Sequence, residues 1–269
     1  MLIEDPDDPR VADYRAAARD GARGLFLCEG RLLVGRLLRG SRLRVRSVLA
    51  TAAVLEDLRD ELGPTPPPVF VASTAMIRSI FGFKFHRGCL ALGERPERPD
   101  TPESVIGPAG TRMLVGLDEV SDPDNVGAIF RNAAAFGVAG VLLSEGCADP
   151  LYRKTIRVSM GGTLSTPFAC TEWGATLAAL RAGGYTLVAL TPDREAEPIA
   201  AAAARLPSRR VALLVGAEGP GLGPRSREAA DLRVRIPMAP DVDSLNVATA
   251  CGIALHRLAG SGIMGGGVS

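Results

Sequence analysis

Residues 210–222 read RVALLVGAEGPGL. An apolar run ends at Val215 and passes into glycines at 216, 219 and 221, with one carboxylate, Glu218, set among them. A short, continuously apolar run of this kind predicts a strand covered on both faces, as in a parallel sheet flanked by helices. The glycines permit a tight turn and let the backbone approach a ligand. This is not a phosphate-binding Walker loop, because no lysine follows. It is not G-x-G-x-x-G either, since Pro224 stands at the last glycine position. Glu218 disfavours a phosphate and suits a cationic ligand.

Working outward, the same kind of run recurs at 113–118, 140–146, 167–172, 185–191 and 231–238, with helical stretches at 125–136, 174–183 and 196–206 between them. The last helix, predicted over about 243–260, is apolar nearly all round and therefore reads as buried in the domain or between subunits. The stretch 94–110, ERPERPDTPESVIGPAG, carries four prolines and reads as an extended linker. It divides an N-terminal part, 1–93, from a C-terminal part, 111–269. Within the first part, strand-like 24–30, 44–50, 68–73 and 89–93 alternate with helical 31–38, 52–62 and 74–81, a small α/β layer. The expected fold class is thus α/β in both parts.

With 46 % hydrophobic residues the 269-residue chain can bury a real core, which excludes wholesale disorder. No apolar run reaches membrane-spanning length, and the acidic start MLIEDPDDPR is unlike an export signal. Five scattered cysteines without C-x-x-C argue against a disulfide framework or structural zinc and for a reducing, cytoplasmic setting. With two histidines no metal site is expected. The net charge is +1, but the basic residues cluster. Arg31, Arg36, Arg39, Arg42, Arg44 and Arg46 form one group without an acid between them; Arg78, Lys84, His86 and Arg87 form a second. One such group reads as a solvated face. Two in one small region point to a surface that contacts phosphates, with Arg31, Arg36, Arg39, Arg42, Lys84 and Arg87 as candidate substrate contacts.

Two further motifs stand out. Asp118-Glu-Val-Ser-Asp122-Pro-Asp124-Asn125 leads into a helix that carries Arg131. A turn with Asp124 or Asn125 as helix cap accounts for most of it. It leaves Arg131 unexplained, and places Asn125 and Arg131 near the C-terminal sheet edge, where open α/β sheets bind ligands. Ile236-Pro-Met238-Ala-Pro-Asp241-Val-Asp243-Ser244-Leu245-Asn246-Val247 leads into the last helix. Asp243 or Ser244 reads as its cap; Asn246 then needs a hydrogen-bond partner of its own.

These three motifs, in this order, resemble the SpoU (TrmH-like) family of RNA ribose 2′-O-methyltransferases, of the SPOUT class. The matching residues are Asn125 and Arg131, then Gly216–Gly221, then Ile236–Met238 with Ser244–Val247; Ser159-Met-Gly-Gly162 matches a shorter signature. The resemblance covers about 112–260. Residues 22–93 more loosely resemble the ribosomal-protein-like substrate-binding domain of many members. Ala217 stands where many have Asn or Ser. The resemblance implies a parallel sheet with a deep trefoil knot, S-adenosylmethionine bound in it, and a homodimer whose active site borrows residues across the interface. Gly216, Ile236 and Leu245 would contact the cofactor, with Glu218, Gly219 and Met238 nearby. Arg131 would engage the target phosphate, while Asn125, Ser244 and Asn246 orient ribose and loop, and Glu218 positions the third motif. The RNA is expected to be rRNA, with tRNA as the runner-up. A catalytically silent RNA-binding or ribosome-assembly factor on the same fold is the main rival; a nucleotide hydrolase has only the glycine loop in its favour.

Overall fold

The computed structural model describes residues 1–19, 24–81, 88–97, 100–107, 113–206 and 210–259. Lys84, His86, Arg87 and the C-terminal tail lie outside them. The chain forms two compact units: Met1–Pro99 with Pro150–Ser165, and Asp100–Asp149 with Thr166–Ser269.

The first unit is built on β1 (Leu25–Glu29), β2 (Arg44–Ala50), β3 (Val69–Val71) and β4 (Cys89–Glu94), in the order β1-β4-β2-β3. β4 runs antiparallel to both neighbours, and β3 is parallel to β2. Helices α1 (Ala12–Arg19), α2 (Arg31–Leu38) and α3 (Thr74–Phe81) accompany it. Buried Tyr14 on α1 shares a 2.8 Å hydrogen bond with Ser47 Oγ of β2. The helix expected over 52–62 breaks at fully buried Leu58 into Ala52–Asp57 and Arg59–Leu62.

Two stretches differ from their reading in sequence. By its contacts 150–165 groups with the first unit. It folds into helices Arg153–Val158 and Gly162–Ser165 within the first unit, where the Arg36 guanidinium donates to the Met160 carbonyl and Ser41 Oγ donates to the Leu164 carbonyl at 3.0 Å. The stretch 94–110 is not extended throughout. Pro102–Ile106 is helical, because Thr101 Oγ1 accepts from Ser104 N at 3.3 Å and Pro102 stands in the first turn, where its missing N–H costs nothing.

The second unit is a seven-stranded sheet, parallel throughout: β5 (Met113–Asp118), β6 (Gly140–Ser144), β7 (Phe168–Thr171), β8 (Thr186–Leu190), β9 (Glu197–Pro198), β10 (Val211–Gly216) and β11 (Leu232–Arg235). The order is β7-β6-β5-β10-β8-β11-β9. Along β5 and β10 the side chains alternate between two cores. Val115, Leu117, Leu213 and Val215 share a core with α4 (Pro123–Ala135), α6 (Ile199–Arg205) and α7 (Val247–Ala259). Leu114, Ala212 and Leu214 face α5 (Trp173–Ala182) and the 102–106 helix. Both faces are covered, which is why these strands read as unbroken apolar runs.

Phe130 on α4 is fully buried and meets Phe168 edge-to-face at 5.7 Å. Removing that ring leaves a cavity in the larger core, so Phe130→Ala is expected to cost about 3–5 kcal/mol in urea unfolding.

α4 starts at Pro123, two residues earlier than expected, and its cap is Asp122, which accepts from Asp124 N at 2.9 Å. α7 starts at Val247, later than expected, so neither Asp243 nor Ser244 caps it. It is also not buried all round: Val247, Cys251, Ala254 and Leu255 face the core, while Thr249, Ile253, His256 and Arg257 are exposed. No described helix is long and apolar enough to cross a membrane.

Candidate active site

Parallel pairing sets Gly216, the last residue of β10, level with Asp118, the last of β5. Beyond Gly216 the chain turns back on itself: Gly221 N donates to Ala217 O at 3.0 Å, with Gly219 and Gly221 at φ +86° and +70°. The loop passes so near its own start that a Cβ on Gly216 would lie 2.2 Å from Gly221 C and 2.3 Å from Leu222 N. Its exit is tied down by the buried Asp118 carboxylate, which accepts from Gly223 N at 2.8 Å and Ser226 Oγ at 2.6 Å; Trp173 Nε1 donates to that hydroxyl at 2.7 Å. Sequence reasoning assigned Asp118 no role. An acid closing an otherwise apolar strand was the available signal.

The loop is one wall of a cavity of about 420 Å³, within the roughly 300–1,000 Å³ range of small-molecule sites. Ile236, Met238, Ser244 and Leu245 line it as well. Leu190 at the end of β8, with Thr191 and Pro192 after it, also lines the cavity, and nothing in their residue types marks them in the sequence. Every candidate cofactor residue, namely Gly216, Glu218, Gly219, Ile236, Met238 and Leu245, lines this one cavity, with Ser244 and Asn246.

Asn246 joins the three motifs. Its Nδ2 donates to Glu218 Oε1 at 2.7 Å and to Asn125 Oδ1 at 2.8 Å. Its Oδ1 accepts from Ala248 N at 3.0 Å and Thr249 N at 3.1 Å, capping α7. Each face of the amide thus has two partners, and the backbone donors on one side with a carboxylate on the other fix which atom is nitrogen. Asn246 itself is exposed, whereas Asn125 is buried, so the amide reaches from the cavity mouth inward.

Arg131 is not among the cavity's lining residues. It is exposed on α4, about 120° round the helix from Asn125 at ~100° per residue. Asn132, nearly in line with Asn125, is the residue that faces α7, where its Nδ2 donates to Ala248 O at 2.8 Å. Of the two first-motif residues, Asn125 is tied to the cavity through Asn246, and Arg131 has an exposed place on the helix surface.

Cys251, within α7, is fully buried, and desolvation pushes its thiol up to about 12, so it packs as a neutral group. Among the described residues no group of three or more His, Cys, Asp or Glu stands close enough to hold a metal ion.

In the first unit, Arg31 and Arg42 are exposed, while Arg36 is engaged by Met160. Arg39 lies 3.5 Å from Glu61, Arg44 3.4 Å from Glu94 and Arg46 3.0 Å from Asp13. The arginine cluster, acid-free in sequence, is partly neutralised in space. Lys84 and Arg87 lie outside the described residues.

A parallel sheet with a glycine-walled cavity beyond its strand ends defines an α/β protein that binds a small molecule at the C-terminal edge of the sheet. Residues 112–256 match the SpoU rRNA methylase family, and the chain belongs to that family. It is 41 % identical over 266 residues to an uncharacterized tRNA/rRNA methyltransferase of Mycobacterium bovis, covering 96 % of this chain and 91 % of the relative. It is 33 % identical over 191 residues to the 23S rRNA (guanosine-2′-O-)-methyltransferase RlmB of Acinetobacter baylyi, covering 69 % and 75 %. An AdoMet-bound rRNA methyltransferase of Sinorhizobium meliloti superposes with a TM-score of 0.78 at 25 % identity, covering 96 % and 97 %.

Proposed function

We propose that this protein methylates a ribose 2′-hydroxyl of RNA, with rRNA as the target class, using S-adenosylmethionine. The observation that carries the reading is the Asn246 amide, which locks Glu218 and Asn125 together at the mouth of a glycine-walled cavity. The cavity's residues fit that cofactor. The close approach at Gly216 presents bare backbone, Ile236, Met238 and Leu245 offer apolar surface, and Glu218 puts a carboxylate beside a cationic ligand. When bound, S-adenosylmethionine supplies an electrophilic methyl on a sulfonium.

The protein's share is to hold the hydroxyl in line and manage its proton. A guanidinium is a cation suited to phosphate and not a general base, so Arg131 clamps the target phosphate and stabilises charge, while the proton passes to phosphate or water. Asn125, Ser244 and Asn246 orient the ribose and the third-motif loop. Because Arg131 lies outside its own chain's cavity, it serves the site of a second copy in a homodimer. The groove of Ala128, Asn132, Phe136, Thr249, Ile253 and His256 on α4 and α7 is the face for that pairing. The C-terminal segment of this unit threads a loop to make the knot in which the cofactor sits. The first unit, with Arg31, Arg42, Lys84 and Arg87, grips the RNA, and the enzyme works in the cytoplasm.

The test is incubation with methyl-labelled S-adenosylmethionine and unmodified rRNA or tRNA in separate tubes, followed by mass spectrometry of the nucleosides. A 2′-O-methyl nucleoside from rRNA is expected; label in tRNA alone would move the substrate to that class. Arg131→Ala should bind the cofactor as before yet lose about 10²–10³-fold in turnover. Full turnover by Arg131→Ala would remove its role.

A further inference from the structure

One side chain outside the family motifs ties together two loops that border the cavity. The segment 191–196, after β8, contributes Thr191 and Pro192 to the lining; the segment 236–246, after β11, contributes Met238, Ser244 and Leu245. The first segment is braced along its length. Thr191 N donates to Val234 O at 2.9 Å, Ala196 N to Asp193 O at 3.1 Å, and Arg235 Nε to Ala196 O at 3.0 Å. Within it, Asp193 N donates to Thr191 Oγ1 at 3.2 Å and Glu195 N to Asp193 Oδ1 at 3.0 Å. The second segment carries an internal turn, Val242 N to Ala239 O at 3.2 Å, with Pro240 inside it.

From the braced segment, Arg194 Nη2 donates to the Pro240 carbonyl at 2.6 Å. Pro240 sits between Met238 and Ser244, which both line the cavity. The donor is charged and the bond short, the stronger kind of hydrogen bond. Both segments are acidic: in sequence Asp193 and Glu195 flank Arg194, and Asp241 and Asp243 follow its acceptor. A cation joining the two segments offsets the like charge they carry.

We propose that Arg194 is a positioning residue that latches the 237–245 strap over the cavity and sets how long the cofactor stays bound. This rests on the reading of the cavity as the S-adenosylmethionine site. The latch holds the third-motif loop in the conformation that Asn246 completes, so its loss acts on cofactor release rather than on methyl transfer once the site is filled.

The experiment compares the full-length protein with Arg194→Ala, Arg194→Lys and, as a control for lost surface charge, Arg205→Ala, whose ion pair with Glu197 lies away from the cavity. Cofactor dissociation is followed by stopped flow, with RNA methylation at saturating cofactor and hydrogen exchange of the 237–246 backbone alongside. Arg194→Ala is expected to weaken cofactor binding about tenfold, mainly through faster release. Maximal turnover should stay within about twofold, and amide exchange in 239–246 should speed up. Added salt should recover part of the loss by screening the like charge of the two segments. Arg194→Lys should restore most of the affinity, and Arg205→Ala should match the parent protein. Unchanged release and exchange in Arg194→Ala would overturn the latch. If the parent protein bound no S-adenosylmethionine, the cavity reading would fail, and the exchange comparison would still decide whether Arg194 holds the strap.

Discussion

Gly216→Ala is expected to lose S-adenosylmethionine binding by about 100-fold or more while the protein still folds. The added methyl would stand 2.2–2.3 Å from Gly221 C, Gly221 O and Leu222 N. All three are backbone atoms, so no rotamer change can make room; the loop has to open. Opening it moves Glu218 and Gly219, which line the cavity. Overpacking of this kind costs about 1–3 kcal/mol, which a domain of this size survives. Gly219→Ala is the informative contrast. Gly219 has φ +86° but nothing within 4 Å of a Cβ, so alanine there meets strain without collision, costing about 1–2 kcal/mol. Calorimetric titration with cofactor, beside a thermal melt, separates the two. Binding by Gly216→Ala within threefold of the parent would show that the loop's close approach is not needed.

Asn246→Asp is expected to leave the helix capped and break the junction of the motifs. An aspartate keeps the acceptors for Ala248 N and Thr249 N, and a negative charge at a helix N-terminus is favourable. On its other side it sets oxygen against Glu218 Oε1, where the amide now donates at 2.7 Å. Asn125 can turn its amide to donate, but Glu218 has no proton to offer. Two like charges at about 4 Å repel by roughly 1 kcal/mol in water and roughly 4 at an effective dielectric of 20. Cofactor affinity should fall about 10–100-fold at pH 8 while the melting temperature changes little.

Acid should relieve part of this. Crowding raises the pKa of one carboxyl of the new pair, so the penalty is full above that raised value and fades as pH falls through it, when the proton donates across the gap. Asn246→Asp should therefore gain affinity relative to the parent between pH 8 and pH 5. Asn246→Ala should show no such gain and should lose about 1 kcal/mol more stability with its cap. A pH-independent ratio between Asn246→Asp and the parent would count against the Glu218 contact.

What could be read without coordinates was what local chemistry carries. The strands of the second unit were legible because burial on both faces leaves unbroken apolar runs, and the glycine loop because close backbone approach excludes a Cβ at Gly216. Asn246 and Arg131 drew notice as polar residues in apolar surroundings, and the family motifs gathered the cavity's residues around them. Partners were another matter. Asn246 meets Glu218, 28 residues away, and Asn125, 121 away, and nothing periodic links such positions. The strand order that puts β10 between β5 and β8 brings them together. Folding likewise left Arg131 exposed and outside the cavity's lining, spent Arg36 on the Met160 carbonyl, drew 150–165 into the first unit and aimed Arg194 at Pro240. Local sequence reports which side of a strand or helix wants to be buried. Which distant backbone or side chain it is buried against is set by register and crossover, and only the assembled chain holds that information.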